Sequence, residues 1–150
     1  MVGFIIDIKN MDGLVYYARP DLKLGAGFGT AISTQGGPKV QEELKKVGGA
    51  NITDVVVTGG GNLQARYILH AVGPRFQEED SEEKLKATTL NVLRKAEEYQ
   101  LQKIAFPAMG AGFYGIPMEA CARVTLGAVR EFLEKAAEPK EVVFCLRDSR

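Results

Sequence analysis

The chain has 150 residues, of which 45% are hydrophobic and 25% are charged, and its 19 lysine and arginine residues balance 19 aspartate and glutamate residues. A chain of this length buries about two-thirds of the surface that its unfolded form exposes, so a single domain needs no disulfide or metal to be stable. A net charge of zero argues against nucleic acid as a partner, because a phosphate backbone is held by a clustered basic face.

Membrane, secretory and metal-binding classes are also disfavoured. No apolar run reaches the roughly 20 residues of a membrane span, and the N-terminus lacks the basic stretch and cleavage site of a signal peptide. We therefore expect a cytoplasmic protein with no membrane partner. Two cysteines are too few for a disulfide framework, and one histidine leaves no ordinary His/Cys metal cage, so we expect no metal and no cofactor.

The first third of the chain predicts two strands followed by helices. Residues 4–6 and 14–17 are short apolar runs separated by turn residues, which is typical of two strands and a turn. A helical stretch is expected after the first group of glycines. Pro38 suits the first turn of a second helix, which runs through Lys46 and ends at the glycine pair that follows.

The middle of the chain predicts two strands and a long helix. Residues 54–57 and 65–70 flank a glycine-rich connection, and we expect residues 75–83 to form a surface loop. Within it Asp80, with Glu83 three residues later, predicts a capping box that opens a helix to about residue 99. One face of that helix carries Leu85, Thr89, Val92 and Ala96.

The last third of the chain predicts a strand, a helix and a second strand. Residues 104–106 predict a short buried strand, Pro117 begins a helix to about Lys135, and residues 141–146 predict a final strand. Strands that alternate with helices predict an α/β sheet covered on both faces.

The excess of glycine is concentrated in a repeated motif. Gly-Ala-Gly-Phe occurs at residues 25–28 and 110–113, each time between a predicted strand and a predicted helix. Such a turn lets the backbone approach a ligand closely and directs N–H groups towards an anion, so two of them would hold two phosphates. Neither loop has the pattern of a nucleoside-triphosphate loop or of the dinucleotide fingerprint. Tight turns and close helix–sheet packing are the alternative explanation.

Three blocks of sequence carry a resemblance to a known family. They are residues 22–38, which begin Leu-Lys-Leu-Gly-Ala-Gly-Phe, residues 58–74, which end His-Ala-Val-Gly-Pro, and residues 104–117, which read Ile-Ala-Phe-Pro-Ala-Met-Gly-Ala-Gly-Phe-Tyr-Gly-Ile-Pro. In order and spacing they resemble the macro domain, a family that binds ADP-ribose. The resemblance implies an α/β fold, a three-layer α/β/α sandwich with a mixed central sheet. Residues 1–150 would form a single macro domain that lacks the outer N-terminal strand and C-terminal helix of many relatives.

The resemblance also implies a ligand site. Asp7, followed by Ile8, would accept a hydrogen bond from the adenine amino group and disfavour guanine, although it also suits a turn that ends a strand. Residues 24–28 would wrap the diphosphate, and residues 110–114 would close over it from the other side. The loop residues in this prediction are Leu24, Gly25, Ala26, Gly27, Phe28, Pro107, Met109, Gly110, Ala111, Gly112, Phe113 and Tyr114.

Several single residues have two interpretations. Tyr114 would cover the distal ribose or pack on the backbone of its own loop, and Arg147 would stack on the adenine or remain solvated. His70 is predicted to be a satisfied core histidine with no catalytic role. Cys121 and Cys145 are predicted to be inert buried thiols.

The chain departs from the family pattern near its first loop. The family segment Val-Asn-Ala-Ala-Asn aligns with residues 15–19, so Tyr16 and Arg19 replace two asparagines, and Gly29 stands where hydrolase relatives carry an acidic residue. Three hypotheses remain. The first is a module that binds ADP-ribose, free or attached to a modified protein or metabolite. The second is a hydrolase of ADP-ribosyl esters or O-acyl-ADP-ribose in which the substrate's own diphosphate activates water. The third is a scaffold without nucleotide binding, prompted by Tyr16 and Arg19 projecting towards the distal ribose.

Overall fold

Strands and helices alternate along the described chain. The computed structural model describes residues 11–22, 34, 36–61, 63, 65–74, 79–107, 109, 115–135, 139 and 141–144. The strands in this part are β1 (Gly13–Tyr17), β2 (Val55–Gly59), β3 (Tyr67–Ala71), β4 (Lys103–Phe106) and β5 (Glu141–Phe144). The helices are α1 (Pro38–Val47), α2 (Ser81–Glu98) and α3 (Met118–Leu133).

The described strands form one mixed sheet in the order β2-β3-β1-β4-β5. Strands β3, β1, β4 and β5 are parallel, and β2 pairs with β3 in the antiparallel direction. Strand β1 is central, with Leu14 opposite Ile68 of β3 and Ala105 of β4. The mixed central sheet that the resemblance implies is therefore present.

Helices cover both faces of this sheet. Alternate strand residues face opposite sides, so Val15 and Tyr17 pack with residues of α2 and α3, whereas Leu14 and Tyr16 pack with Val40 and Leu44 of α1. Both faces of β1 are buried along its whole length, as expected of a central parallel strand. The predicted three-layer α/β/α architecture is thus confirmed.

The first described helix has the boundaries that its sequence predicts. Pro38 occupies the first turn of α1, where its missing N–H costs no hydrogen bond. Gly48 follows the helix at a φ of 85° and donates its N–H to the carbonyl of Leu44. That left-handed conformation favours glycine, so the end of α1 can be predicted from the sequence.

The start of α2 agrees with the predicted cap position at Asp80 but not with the predicted capping hydrogen bond. Its buried face includes Leu85, Thr89, Val92 and Ala96, as the periodicity predicts. The helix begins at Ser81, however, so the last three residues of the expected 75–83 loop form its first turn. The capping box is also wrong. Asp80 adopts a left-handed conformation with a φ of 55° and its side chain makes no capping hydrogen bond, because a capping side chain acts from an extended backbone.

The remaining elements fall close to their predicted positions. Helix α3 starts one residue after Pro117 and ends at Leu133, two residues before the predicted end. The predicted strand at residues 4–6, the helical stretch after the first glycines and residues 145–146 of the last strand lie outside the described residues. Among the helices that the structure describes, none combines the length and apolarity that a membrane crossing requires.

Candidate functional site

The parallel strands place their carboxyl ends at one edge of the sheet, called here the carboxyl edge. In open α/β sheets a ligand binds outside this edge, where the connections of two adjacent strands leave for opposite faces. Strands β1 and β4 are such a pair, because the chain after β1 leads to α1 on one face and the chain after β4 leads to α3 on the other. A crevice is therefore expected between the ends of β1 and β4.

Both glycine-rich segments follow these two strands in the sequence. Residues 24–28 come after β1, and residues 110–114 come after β4. Pro107 directly follows β4 and is half-buried, whereas the side chain of Met109 is fully buried in the core on the face of α2 and α3. Met109 therefore anchors the start of the second segment. The other predicted site residues lie outside the described residues: Asp7, Ile8, residues 24–28, residues 110–114 and Arg147.

The turn after β1 holds the chain where it approaches the first glycine-rich segment. Leu22 donates its N–H to the carbonyl of Arg19 at 2.9 Å, and Ala50 donates to the carbonyl of Pro20 at 2.9 Å. Leu22 has a φ of 59° and a side chain buried in the core on the α1 face. A bulky residue with positive φ is uncommon and persists where its surroundings hold it, so Leu22 is an anchor for the segment that follows.

Tyr16 does not project from the carboxyl edge as the scaffold hypothesis expects, whereas Arg19 is exposed directly after β1. Tyr16 is only 8% exposed and packs in the core on the α1 face, where its ring meets the ring of His70 edge-on with centroids 5.9 Å apart. The guanidinium of Arg19 forms an ion pair with Asp21 at 2.8 Å on the protein surface. The part of the scaffold hypothesis that rests on Tyr16 is therefore not supported, and the part that rests on Arg19 stays a prediction.

A contact between β1 and the chain after β3 fixes a further part of this edge. The Tyr17 hydroxyl donates a hydrogen bond to the carbonyl of Pro74. A Cβ atom at position 73 would overlap the Tyr17 ring, so Gly73 is needed for the close approach. These contacts tie together the ends of two neighbouring parallel strands.

Comparison with known proteins decides the family. The family model for the macro domain matches residues 18–125, which begin directly after β1 and include β2, β3, β4, the glycine-rich segments and the first part of α3. The chain belongs to the macro domain family.

Relatives of this macro domain are similar over nearly its full length. A macro domain-containing protein of Caldanaerobacter subterraneus subsp. tengcongensis is 39% identical over 154 residues, which cover 99% of this chain and 87% of the relative. A solved structure of the Oceanobacillus iheyensis macrodomain with ADP matches with a TM-score of 0.91 and 27% identity, covering 99% of this chain and 82% of that one. The Trypanosoma brucei macrodomain in complex with ADP-ribose matches with a TM-score of 0.87 and 29% identity, covering 97% and 61%.

His70 is the buried core histidine that the sequence predicts. It is fully buried, and its Nε2 lies 2.9 Å from the Thr58 hydroxyl, which itself donates to the carbonyl of Gly59. Nε2 therefore carries the proton, and Nδ1 has no partner in the described part of this macro domain. Burial lowers the pKa of His70 to about 3, so the ring is neutral near pH 7. It is satisfied at one nitrogen and has no access to a substrate proton.

Cys121 is the inert thiol that was expected. It is buried in α3, and its thiol points to the carbonyl of Ile116 at 3.5 Å. Burial raises the pKa of the Cys121 thiol to about 11, which leaves it protonated and unreactive at neutral pH. Cys145 lies outside the described residues.

A groove that the sequence does not predict lies at the end of the sheet opposite the carboxyl edge. Its volume is about 650 Å³, and its charged lining residues are Lys39, Glu42, Glu43, Lys46 and Arg66. Glu43 turns both carboxylate oxygens towards the N–H of Gly59, at 3.2 and 3.4 Å. The four charged residues of α1 have the spacing of one helix face, which alone indicates only a solvated surface. Across the described residues of this macro domain, no group of His, Cys, Asp and Glu is arranged to hold a metal ion.

Proposed function

We propose that this macro domain binds ADP-ribose, free or as the terminal group of a modified protein or metabolite, in the crevice between β1 and β4. The observation that carries the proposal is the position of the two glycine-rich segments, which follow adjacent parallel strands whose connections leave for opposite faces. The similarity to solved macrodomains with ADP and with ADP-ribose supports the same ligand class.

The diphosphate is held by backbone amides in this proposal. The N–H groups of residues 25–28 and 110–114 approach it from two sides, since glycine permits a backbone close enough to contact an anion. Amide dipoles supply the positive potential, so a protein with a net charge of zero can bind the diphosphate without a lysine cluster.

Side chains then select the two ends of the ligand. Asp7 accepts a hydrogen bond from the adenine amino group, and Arg147 stacks on the base. Tyr114 covers the distal ribose. The proposal assigns no catalytic residue, because binding by amides and one carboxylate requires none.

Calorimetric titration tests the proposal. We expect micromolar binding of ADP-ribose and weaker binding of ADP. AMP should bind most weakly, because its single phosphate leaves part of the diphosphate site empty. GDP should bind more weakly than ADP, because guanine has no amino donor at the position that Asp7 recognises. The absence of heat with millimolar ADP-ribose would overturn the proposal.

A carboxylate variant separates base selection from diphosphate binding. Asp7→Ala should weaken ADP binding about tenfold and remove the preference for ADP over GDP, since it deletes one hydrogen bond to a charged acceptor. Asp80→Ala is the matched control, because Asp80 is an exposed turn residue without a capping hydrogen bond. If Asp7→Ala binds both nucleotides as the unaltered protein does, the adenine assignment is wrong.

A further inference from the structure

Strand β2 forms one edge of the described sheet, and its pairing shows which backbone groups face outward. Gly60 donates its N–H to the carbonyl of Arg66, and Val72 donates to the carbonyl of Asp54. In this antiparallel pair the even-numbered residues of β2 therefore turn their N–H and C=O groups towards β3. Val55, Val57 and Gly59 turn theirs away from the sheet.

Contacts within the described chain protect the outward groups at only one end of the strand. The N–H of Gly59 is covered by the Glu43 carboxylate, and its carbonyl accepts a hydrogen bond from the Thr58 hydroxyl. In the part of the chain that the structure describes, no group pairs with the outward backbone of Val55 or Val57. Among the described residues, the outward donors and acceptors of these two valines therefore have no hydrogen-bond partner.

The side chains of β2 do not discourage pairing with another strand. Natural edge strands usually carry lysine, proline or a bulge that prevents such pairing. Strand β2 reads Val-Val-Val-Thr-Gly, without a charge or a proline, and all three valines are half-buried. β-branched residues in an extended strand also favour pairing across an edge.

We propose that β2 pairs with β2 of a second copy of this chain, antiparallel about a twofold axis at Val56. Val55 of each copy then lies opposite Val57 of the other, and the outward N–H and C=O groups of both residues become hydrogen-bonded. The two sheets become one continuous sheet across the axis, with the Val56 side chains of the two copies adjacent on one face.

Local structure allows only this register. A shift in one direction would require pairing at Gly59, whose N–H is already occupied by Glu43. A shift in the other direction would require pairing at Thr53, whose φ of 81° is incompatible with an extended strand. The axis therefore passes through the centre of the valine run.

This interface leaves the proposed ligand crevice open. Strand β2 is separated from β1 by β3, and the crevice lies on the far side of β1, next to β4. Dimer formation and ADP-ribose binding are therefore independent, and either is able to fail without the other.

Sedimentation equilibrium of the intact chain over a wide concentration range tests the proposal. We expect a monomer–dimer equilibrium whose Kd rises at least about tenfold in Val57→Lys, because a charged side chain on an edge strand opposes pairing. Val47→Lys is the matched control, since Val47 is an exposed valine on α1 outside the edge, and it should dimerise as the unaltered chain does. A monomer at every concentration, or a Val57→Lys dimer of unchanged affinity, overturns the proposal.

Hydrogen exchange gives a second test that needs no variant. The amides of Val55 and Val57 should exchange more slowly as the protein concentration rises, whereas the amide of the exposed helix residue Val47 should not change. Exchange of the two edge amides at the same rate in dilute and concentrated protein would contradict the interface, even if Val57→Lys failed to fold.

Discussion

At the scale of single residues, His70 is a fully buried side chain whose Nε2 pairs with the Thr58 hydroxyl. The apolar residues around His70 predict its burial, and the structure confirms it. The sequence cannot predict that Thr58 is its partner, because the pair is created by the antiparallel register of β2 and β3. The Nδ1 atom, which has no partner among the described residues, is likewise a consequence of packing. What the sequence predicts is the location of such a side chain, whereas its hydrogen bonds depend on the strands beside it.

The low pKa of His70 makes stability depend on pH. The pKa is about 3 in the folded protein against a usual value of 6.5, so the unfolded chain binds more protons between these values. The contribution is fully present above pH 6.5 and is lost as the pH falls towards 3. We expect about 3 kcal/mol less stability at pH 4 than at pH 7 from this group. Urea unfolding of the unaltered protein and of His70→Gln at both pH values measures it. An equal loss of stability in the two proteins would refute the assignment.

At the scale of elements, the periodicity of apolar residues predicts the strands and helices, whereas the predicted capping hydrogen bond is wrong at the start of α2. The buried face of α2 follows from the spacing of its apolar residues and threonines, since burial against a sheet selects one side of a helix. The predicted capping box at Asp80 is wrong because the chain enters α2 through a left-handed residue. The end of α1 at Gly48 was predictable because its left-handed conformation favours glycine itself.

The close contact between Gly73 and Tyr17 predicts that one added methyl group at position 73 destabilises the protein. Gly73→Ala would place its Cβ inside the Tyr17 ring and disturb the tie between the ends of β1 and β3, so we expect a loss of about 1–3 kcal/mol. Gly127→Ala in α3 is the matched control. Its Cβ would meet nothing within 4 Å, and alanine favours a helix, so a gain of about 0.5–1 kcal/mol is expected. Chemical denaturation measures both, and equal effects would show that the Tyr17 contact is not tight.

At the scale of the whole molecule, the sequence predicted the layers but not the order of the strands. The order β2-β3-β1-β4-β5 places β1 beside β4, the two strands that the glycine-rich segments follow in the sequence, and it puts β2 at one edge of the described sheet. Neither the neighbouring positions of β1 and β4 nor the edge position of β2 can be predicted from local sequence patterns, because strand order depends on how the helices cover the two faces of the sheet. For the proposed site the sequence offers the repeated glycine motif, which stays a prediction, whereas the groove lined by Lys39 and Arg66 arises only when α1 packs beside β2.

Backbone amide shifts on addition of ADP-ribose test most directly whether the ligand binds between the ends of β1 and β4. We expect large shifts for residues that follow these two strands, Met109 and Gly115 among them, and small shifts for residues 59–61 at the opposite end of the sheet. Large shifts confined to residues 59–61 and Arg66, with none after β1 or β4, would contradict binding there.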